Sequence, residues 1–439
     1  MNQPITFAIC GFGNRGRDAY AVYQKTHPDL MKIVAVADPV PQRLAAARQE
    51  YGVDPALCFD SAEALLARPR LADVMIIATQ DRQHVPEALA ALDLGYHLLL
   101  EKPISPELSD CMALLDKAHA TGRLVMVCHV LRYTAFYSRL KELIDQGVVG
   151  VIQTLDAVEN VGYYHQAHSF VRGNWRSSEE TSPMILAKSC HDMDIIRYLM
   201  GERCVRVSSF GRLGHFTEAN APQGSAGRCL DCGAPKAQCP YDAEKIYLTN
   251  PLTGLLHGNS GWPVSVLVHE PTEESVRKAL REGPYGRCVY RCDNDVVDHQ
   301  VVSMSFASGA TATFTMTAFA QRCYRTVRIM GTMGELEGDM LSDRITVRRF
   351  GEPDEVIDLA GAEGMSGHGG GDEGIMDALC RLMLRSETTA PTSIDASVES
   401  HMMALAAEAS RLDGGRSIDR ARSGASRRGP WAPAGRVSP

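Results

Sequence analysis

Ile5-Thr6-Phe7-Ala8-Ile9-Cys10-Gly11-Phe12-Gly13-Asn14-Arg15-Gly16 is the stretch whose reading decides the fold. Residues 5–10 are apolar in the manner of a short buried strand. A G-x-G-x-x-G turn follows at once, and a helical pattern with Ala19, Val22 and Tyr23 on one face follows the turn. Between a strand and a helix, that spacing is a dinucleotide-binding fingerprint. Gly11 permits the tight turn, Gly13 lets the backbone approach a pyrophosphate, and Gly16 allows close helix–strand packing. The helix start supplies free N–H groups and a positive dipole end. Phe12, Asn14 and Arg15 share the turn and join the three glycines as cofactor-binding candidates.

A second strand, Ile33 to Ala37, ends in Asp38, placed to hold the adenosine ribose hydroxyls. The competing reading is a cap for the next helix, which Pro39 and Pro41 also suggest. Asp38 repels a 2′-phosphate, so NAD is favoured over NADP, while Arg43 keeps NADP open. Residues 72–78 read as a third strand running into Thr79 and Gln80, 82–94 as a helix stopped by Gly95, and 97–100 as a buried strand. Glu101-Lys102-Pro103 comes next, then a helix over 106–120 and a strand over 124–127. Alternation with short connections predicts an α/β fold with a Rossmann-like, doubly wound parallel sheet. Ligands of such sheets bind beyond the carboxyl ends of the strands, where Lys102 stands. A surface loop with a salt bridge is the plainer reading of Lys102.

The chain has 439 residues, 45% hydrophobic and 22% charged, with a formal net charge of −8. That length suits two or three domains. The charge gives no reason to expect nucleic acid or an anionic membrane as partner. No apolar run is long enough to span a bilayer, and Met1 to Pro4 shows no secretory pattern. The odd count of 13 cysteines suits a reducing cytoplasm.

Past residue 150, Val151 to Val158 alternates as a strand. The loop after it carries Tyr163, Tyr164, His165 and His168, then Arg172 and Trp175. Apolar surface with hydrogen-bonding groups suits a sugar or cyclitol, and a plain structural loop explains the residues equally well. His191 opens a helix. An insertion-like segment around 204–292 holds Cys229-x-x-Cys232 and Cys239, a spacing that fits a structural zinc completed by Cys288, Cys292 or a histidine. Residues 297–306 and 310–320 alternate around Ala307-Ser308-Gly309 as a hairpin, and further strands at 326–330 and 345–350 predict an antiparallel-rich sheet able to serve as a subunit interface. Gly367 to Asp372 reads as a mobile loop before a helix, with His368 either within reach of substrate or simply part of a flexible loop, 397–412 as a helix, and 416–439 as a disordered tail. The domains expected are therefore 1–128, dinucleotide-binding, and 129–415, for substrate and oligomerisation as a homodimer or homotetramer.

Gly11 to Gly16, Ala78-Thr79-Gln80 with His84, Glu101-Lys102-Pro103, Arg132-Tyr133 and Cys190-His191-Asp192-Met193-Asp194 together resemble the Gfo/Idh/MocA oxidoreductase family over most of residues 5 to 415. The resemblance implies a C-terminal α+β domain built on a large open mixed sheet. It implies that Thr79, Gln80, His84, Glu101 and Lys102 line the cofactor site and that Arg132 and Tyr133 belong with substrate. It implies that Lys102 lies beside nicotinamide and substrate and that His191 is the acid/base. The family's acidic residue four positions before that histidine is Ala187 here, so Lys188 or another loop takes its place. The activity implied is NAD(P)-dependent oxidation of a secondary hydroxyl on a sugar, sugar derivative or cyclitol. Two alternatives on the same fold are glycoside cleavage with recycled NAD, and a non-catalytic ligand-binding regulator.

Overall fold

The computed structural model describes residues 3–359, 369–387 and 390–419. Among them, six strands form the first sheet: β1 (Ile5–Cys10), β2 (Met31–Ala37), β3 (Cys58–Phe59), β4 (Val74–Ile77), β5 (His97–Leu100) and β6 (Val125–Val127). All pairings are parallel, in the order β3-β2-β1-β4-β5-β6. The order reverses at β1 and β4, and that switch point opens a crevice at the strands' carboxyl ends. The near-continuous apolar runs of β4 and β5 follow from burial on both faces.

One cover of this sheet comes from far along the chain. The helix Gly371–Arg385 sends Ile375, Met376, Leu379 and Cys380 into the same core as Phe7, Ile9 and Tyr20. This helix, from the expected C-terminal segment, thus packs on the N-terminal sheet.

The second sheet is mixed. Its strands are β7 (Ile152–Gly162), β8 (Cys204–Arg212), β9 (His299–Phe306), β10 (Thr311–Ala320), β11 (Tyr324–Gly331), β12 (Gly334–Asp339), β13 (Arg344–Arg349), β14 (Glu355–Asp358) and β15 (Ile418–Asp419). The order is β14-β13-β12-β11-β7-β10-β9-β8-β15. Only β7 and β10 run parallel; the other pairings are antiparallel. The hairpin β9–β10 turns at Gly309, whose φ of +95° suits glycine. Along β10 the residues Ala312, Phe314, Met316 and Ala318 are buried and the threonines between them face outward. The buried face packs on the helices Ala135–Asp145, Cys190–Met200 and Ile394–Leu412.

Two expected boundaries shift. Cys204 to Arg212 is sheet strand β8, so the insertion spans 213–298 rather than 204–292. Residues 418 and 419, expected within a disordered tail, pair with β8 instead. His368 and residues 420–439 lie outside the described residues. No helix among the described residues is long and apolar enough to cross a membrane.

Candidate active site

The glycine turn divides its labour as its spacing predicts. Gly11 sits at φ +86°, and a Cβ there would lie 2.4 Å from Ala78 O. A Cβ on Gly16 would lie 2.0 Å from Gly11 O, which fixes the helix against the turn. A Cβ on Gly13 meets only the end of Arg43, so this position leaves the backbone open. Phe12 turns away: its ring is buried against Tyr51, and its N–H donates to Asp38 Oδ2 at 2.8 Å. Asn14 stays exposed on the turn.

Asp38 is 2% exposed and accepts from the N–H of Phe12 and Val40 and from Arg43 Nη1 at 3.1 Å. Its carboxylate thus braces the turn, and half-exposed Arg43 stands over it. These residues fit a dinucleotide: the turn is open where a pyrophosphate approaches, and a carboxylate with a guanidinium sits at the end of β2.

Glu101 and Lys102 part company after β5. Glu101 is buried and receives Arg15 Nε at 2.6 Å, the Tyr20 hydroxyl, and the N–H of Lys102. Arg15 also grips Asp372 at 2.7 Å, tying the glycine helix to the returning helix. Burial alone would raise the Glu101 carboxyl, but Arg15 and Lys102 hold it below its usual range. Arg15 and Glu101 are thus brace residues in a place where cofactor contacts were expected. His84 is likewise buried, with Nδ1 2.7 Å from Pro103 O and Nε2 3.2 Å from Thr79 O, clamping one cofactor-side turn to another. Thr79 donates to Glu87 at 2.8 Å, while Gln80 is exposed.

Lys102 does not pair with Glu101's carboxylate through its ammonium. Its Nζ crosses the domain boundary and donates to Ala187 O at 3.0 Å. Ala187 closes the short helix Met184–Ala187, one turn before His191 in the helix Cys190–Met200. His191 is 4% exposed, with the His129 ring edge-on at 6.0 Å. His129 is itself buried and pushed down to about 4 by that burial, so it stands neutral beside His191. Position 187 carries no carboxylate, and its backbone carbonyl receives the lysine.

Behind this contact lies a charge network that no local motif announces. Lys188 Nζ is 3.5 Å from Glu159 Oε1 on β7. Glu159 also accepts from Ser189 at 3.0 Å and from Arg325 of β11, and Arg325 Nε reaches Asp192 at 2.8 Å. Burial raises both carboxyls; Arg325 and Lys188 outweigh it at Glu159, whereas Glu159 itself adds to it at Asp192, which rises to about 7. The neighbouring acids are thereby pushed in opposite directions, Glu159 down and Asp192 up. Asp192 follows His191 directly in the sequence, but Glu159 and Arg325 come together with it only through strand pairing.

The expected substrate residues separate into four groups. Arg132 makes a two-pronged pair with Asp194, both bonds 2.6 Å, and donates to Pro391 O at 2.7 Å, so it ties the junction together. Tyr133 bonds Thr392 at 2.9 Å in the same junction. Trp175 Nε1 donates to Asp81 at 3.2 Å, just past β4. Arg172 and His168 point into the insertion: Arg172 donates to Arg287 O and Tyr241 O at 2.7 Å, and His168 Nδ1 lies 2.8 Å from the Tyr247 hydroxyl. Tyr164 and His165 remain half-buried at the loop, with Cys323 Sγ 3.5 Å from His165 Nδ1. Burial and then the charge of Lys188 drive the His165 imidazole well down, with Lys102 contributing.

Cys229, Cys232 and Cys239 line one small cavity with Cys288. No group of three or more His, Cys, Asp and Glu among the described residues is arranged to hold a metal. Cys229 instead accepts from Arg172 Nη2 at 3.4 Å and packs among Phe216, Tyr247 and Val289. Burial raises the Cys229 and Cys239 thiols, so they behave as small apolar side chains around a buried guanidinium. The structural zinc expected from their spacing is not supported.

Residues 5–129 match the profile described as oxidoreductase family, NAD-binding Rossmann fold, and residues 141–415 that described as oxidoreductase family, C-terminal alpha/beta domain. The chain is 22% identical to the Bacillus subtilis protein YteT over 84% of its own length and 87% of that protein's. It is 27% identical to scyllo-inositol 2-dehydrogenase (NAD(+)) of Bacillus subtilis over 48% of its own length and 59% of the relative's. Among solved structures, levoglucosan dehydrogenase in complex with NADH and levoglucosan superposes with a TM-score of 0.69 at 18% identity, covering 95% of this chain and all of the other.

Proposed function

The chain belongs to the Gfo/Idh/MocA oxidoreductase family, and from that premise we propose that it is an NAD-dependent dehydrogenase that oxidises a secondary hydroxyl of a sugar, sugar derivative or cyclitol. The observation that carries the reading is Lys102 Nζ resting on Ala187 O, one turn before His191 and beyond the strand end where the glycine turn opens. Gly11, Gly13 and Gly16 hold the pyrophosphate, and Asp38 with Arg43 the adenosine ribose. Asp38 favours NAD, and release of Arg43 from it is the route by which NADP is accepted.

Bound there, the nicotinamide supplies the hydride acceptor. Lys102 trades the Ala187 carbonyl for the substrate hydroxyl and stabilises negative charge as it develops on that oxygen. His191 accepts the hydroxyl proton. Lys188, anchored by Glu159, stands as a second cation beside the same oxygen. The Glu159–Asp192–Arg325 network keeps the segment 187–192 fixed, so the proton acceptor does not drift as charge moves.

Thirteen unpaired cysteines support a cytoplasmic location. The open threonine-rich face of the second sheet, with Val301 exposed on it, suits self-association as a dimer or tetramer. A screen of sugars and cyclitols for NADH formation tests the activity. The reading expects stoichiometric NADH from at least one cyclic polyol. Conversion with the nucleotide only recycled would replace it with redox-neutral chemistry, and absence of any conversion would leave a binding protein.

A further inference from the structure

We infer that the insertion, residues 213–298, forms a wall of the substrate pocket and that Trp262 is the platform against which a cyclic polyol packs its C–H face. This deepens the proposed dehydrogenase reading and rests on it.

The insertion adds no strand to either sheet. It builds its own core from Phe216, Tyr241, Ile246, Tyr247, Val276 and Leu280, and that core also takes in Ala167 and Val171. Those two residues belong to the helical segment Gln166–Arg172, directly after His165. The insertion is therefore fused to the loop that faces the reaction centre.

Trp262 stands at that seam and is only half-buried. Its ring is edge-on to His165 at 4.8 Å and to His168 at 5.2 Å, and tilted to Tyr164 at 6.3 Å. His165 Nδ1 lies 3.5 Å from Cys323 Sγ, two residues before Arg325, whose Nε reaches Asp192 at 2.8 Å, the residue after His191. The imidazole thus stands between the indole and the strand that braces the His191 helix. The backbone beneath the indole is pinned: Asn259 Nδ2 donates to Trp262 O at 3.0 Å and to Thr253 O at 2.9 Å, while its Oδ1 accepts from the Gly261 N–H at 3.1 Å.

A rigid, partly exposed aromatic face bordered by a phenol and an imidazole matches the two-sided chemistry of a ring polyol. Its axial C–H groups pack on the indole, and its hydroxyls meet Tyr164 and His165. A linear or charged substrate gains little from such a surface. The insertion accordingly sets specificity for ring-shaped, uncharged polyols, while Lys102 and His191 act on whichever hydroxyl the platform presents.

The test compares the full-length protein with Trp262→Ala and Trp262→Phe, with saturating NAD. The probes are myo-inositol, scyllo-inositol, D-glucose and levoglucosan. Calorimetry gives polyol affinity, and NADH formation gives kcat and KM. Trp262→Ala is expected to weaken binding and raise KM about ten- to a hundred-fold, with kcat and NAD affinity nearly unchanged, and Trp262→Phe to recover most of the loss. In Trp175→Phe protein, polyol should shield the Trp262 fluorescence from acrylamide as in wild type, a readout that survives if the Trp262→Ala variant fails to fold. Wild-type affinity in Trp262→Ala, absence of shielding in Trp175→Phe, or failure of every probe to bind would overturn the platform. Binding without NADH formation would remove the dehydrogenase reading and leave the platform standing, whereas turnover with an unchanged KM in Trp262→Ala would do the reverse.

Discussion

The two walls of the cleft are built in opposite ways. On the nucleotide side, each chemical role sits in a short stretch: Gly11, Gly13 and Gly16 within one turn, Asp38 at the end of β2, Lys102 at the end of β5. On the substrate side, the groups arrive from far apart: His191 from a helix start, Glu159 from β7, Arg325 from β11, Trp262 from the insertion. The first wall is a local backbone device that a pattern can encode. The second is assembled by register and packing, so its members are defined by whom they meet.

That contrast is sharpest at charged residues. Glu101 and Arg132 both sit in family-like motifs, yet both act as braces, because each is buried against an opposite charge. Lys102, whose ammonium meets no carboxylate among the described residues, reaches across the cleft to Ala187 O.

Lys102→Met should give the largest effect and break the contrast if it does not. Loss of the polarising cation is expected to lower kcat by about a thousand-fold, with NAD affinity within about two-fold of wild type by calorimetry. Gly16→Ala attacks the other wall. Its Cβ would meet Gly11 O at 2.0 Å, so NAD affinity should fall about a hundred-fold and melting temperature should drop. Arg132→Ala leaves Asp194 buried without its partner and should cost about 3–5 kcal/mol of stability in denaturant titrations. Its KM should change little, since its guanidinium is taken up by Asp194 and Pro391 O.

Glu87 carries a pH dependence on the nucleotide side. Burial raises its carboxyl from 4.5 to about 7, against a hydrogen bond from Thr79. Its folded pKa is above its unfolded pKa, so the folded state holds the proton more tightly. Below about pH 4.5 the group adds no penalty; as pH rises through 7 the folded state loses stability, by about 3 kcal/mol at most. Glu87→Gln keeps the acceptor and should raise the melting temperature at pH 8 while leaving it nearly unchanged at pH 4. Asp38→Ala is the smallest change, expected to weaken NAD about ten-fold and to narrow the gap to NADP.

The parallel sheet, the glycine turn, the hairpin β9–β10 and the Lys102 position were legible because each depends on residues near in sequence. The return of Gly371–Arg385 onto the first sheet was not, since an amphipathic helix states that it buries a face but not against what. The cysteines misled for a related reason. Their spacing fits zinc, but the side chain that enters among them is Arg172, from outside the insertion. Arg172 and His168 read as substrate loop because the insertion that covers them comes later in the chain.

The central claim is that this cleft moves a hydride from a carbinol carbon to a nicotinamide. Incubation with NAD and perdeuterated myo-inositol or perdeuterated D-glucose, followed by mass spectrometry of the nucleotide, tests it most directly. The account predicts reduced nucleotide carrying one added deuterium in wild-type protein and none in Lys102→Met. Nucleotide left oxidised and unlabelled by wild-type protein with both polyols, or labelled equally by Lys102→Met, would contradict it.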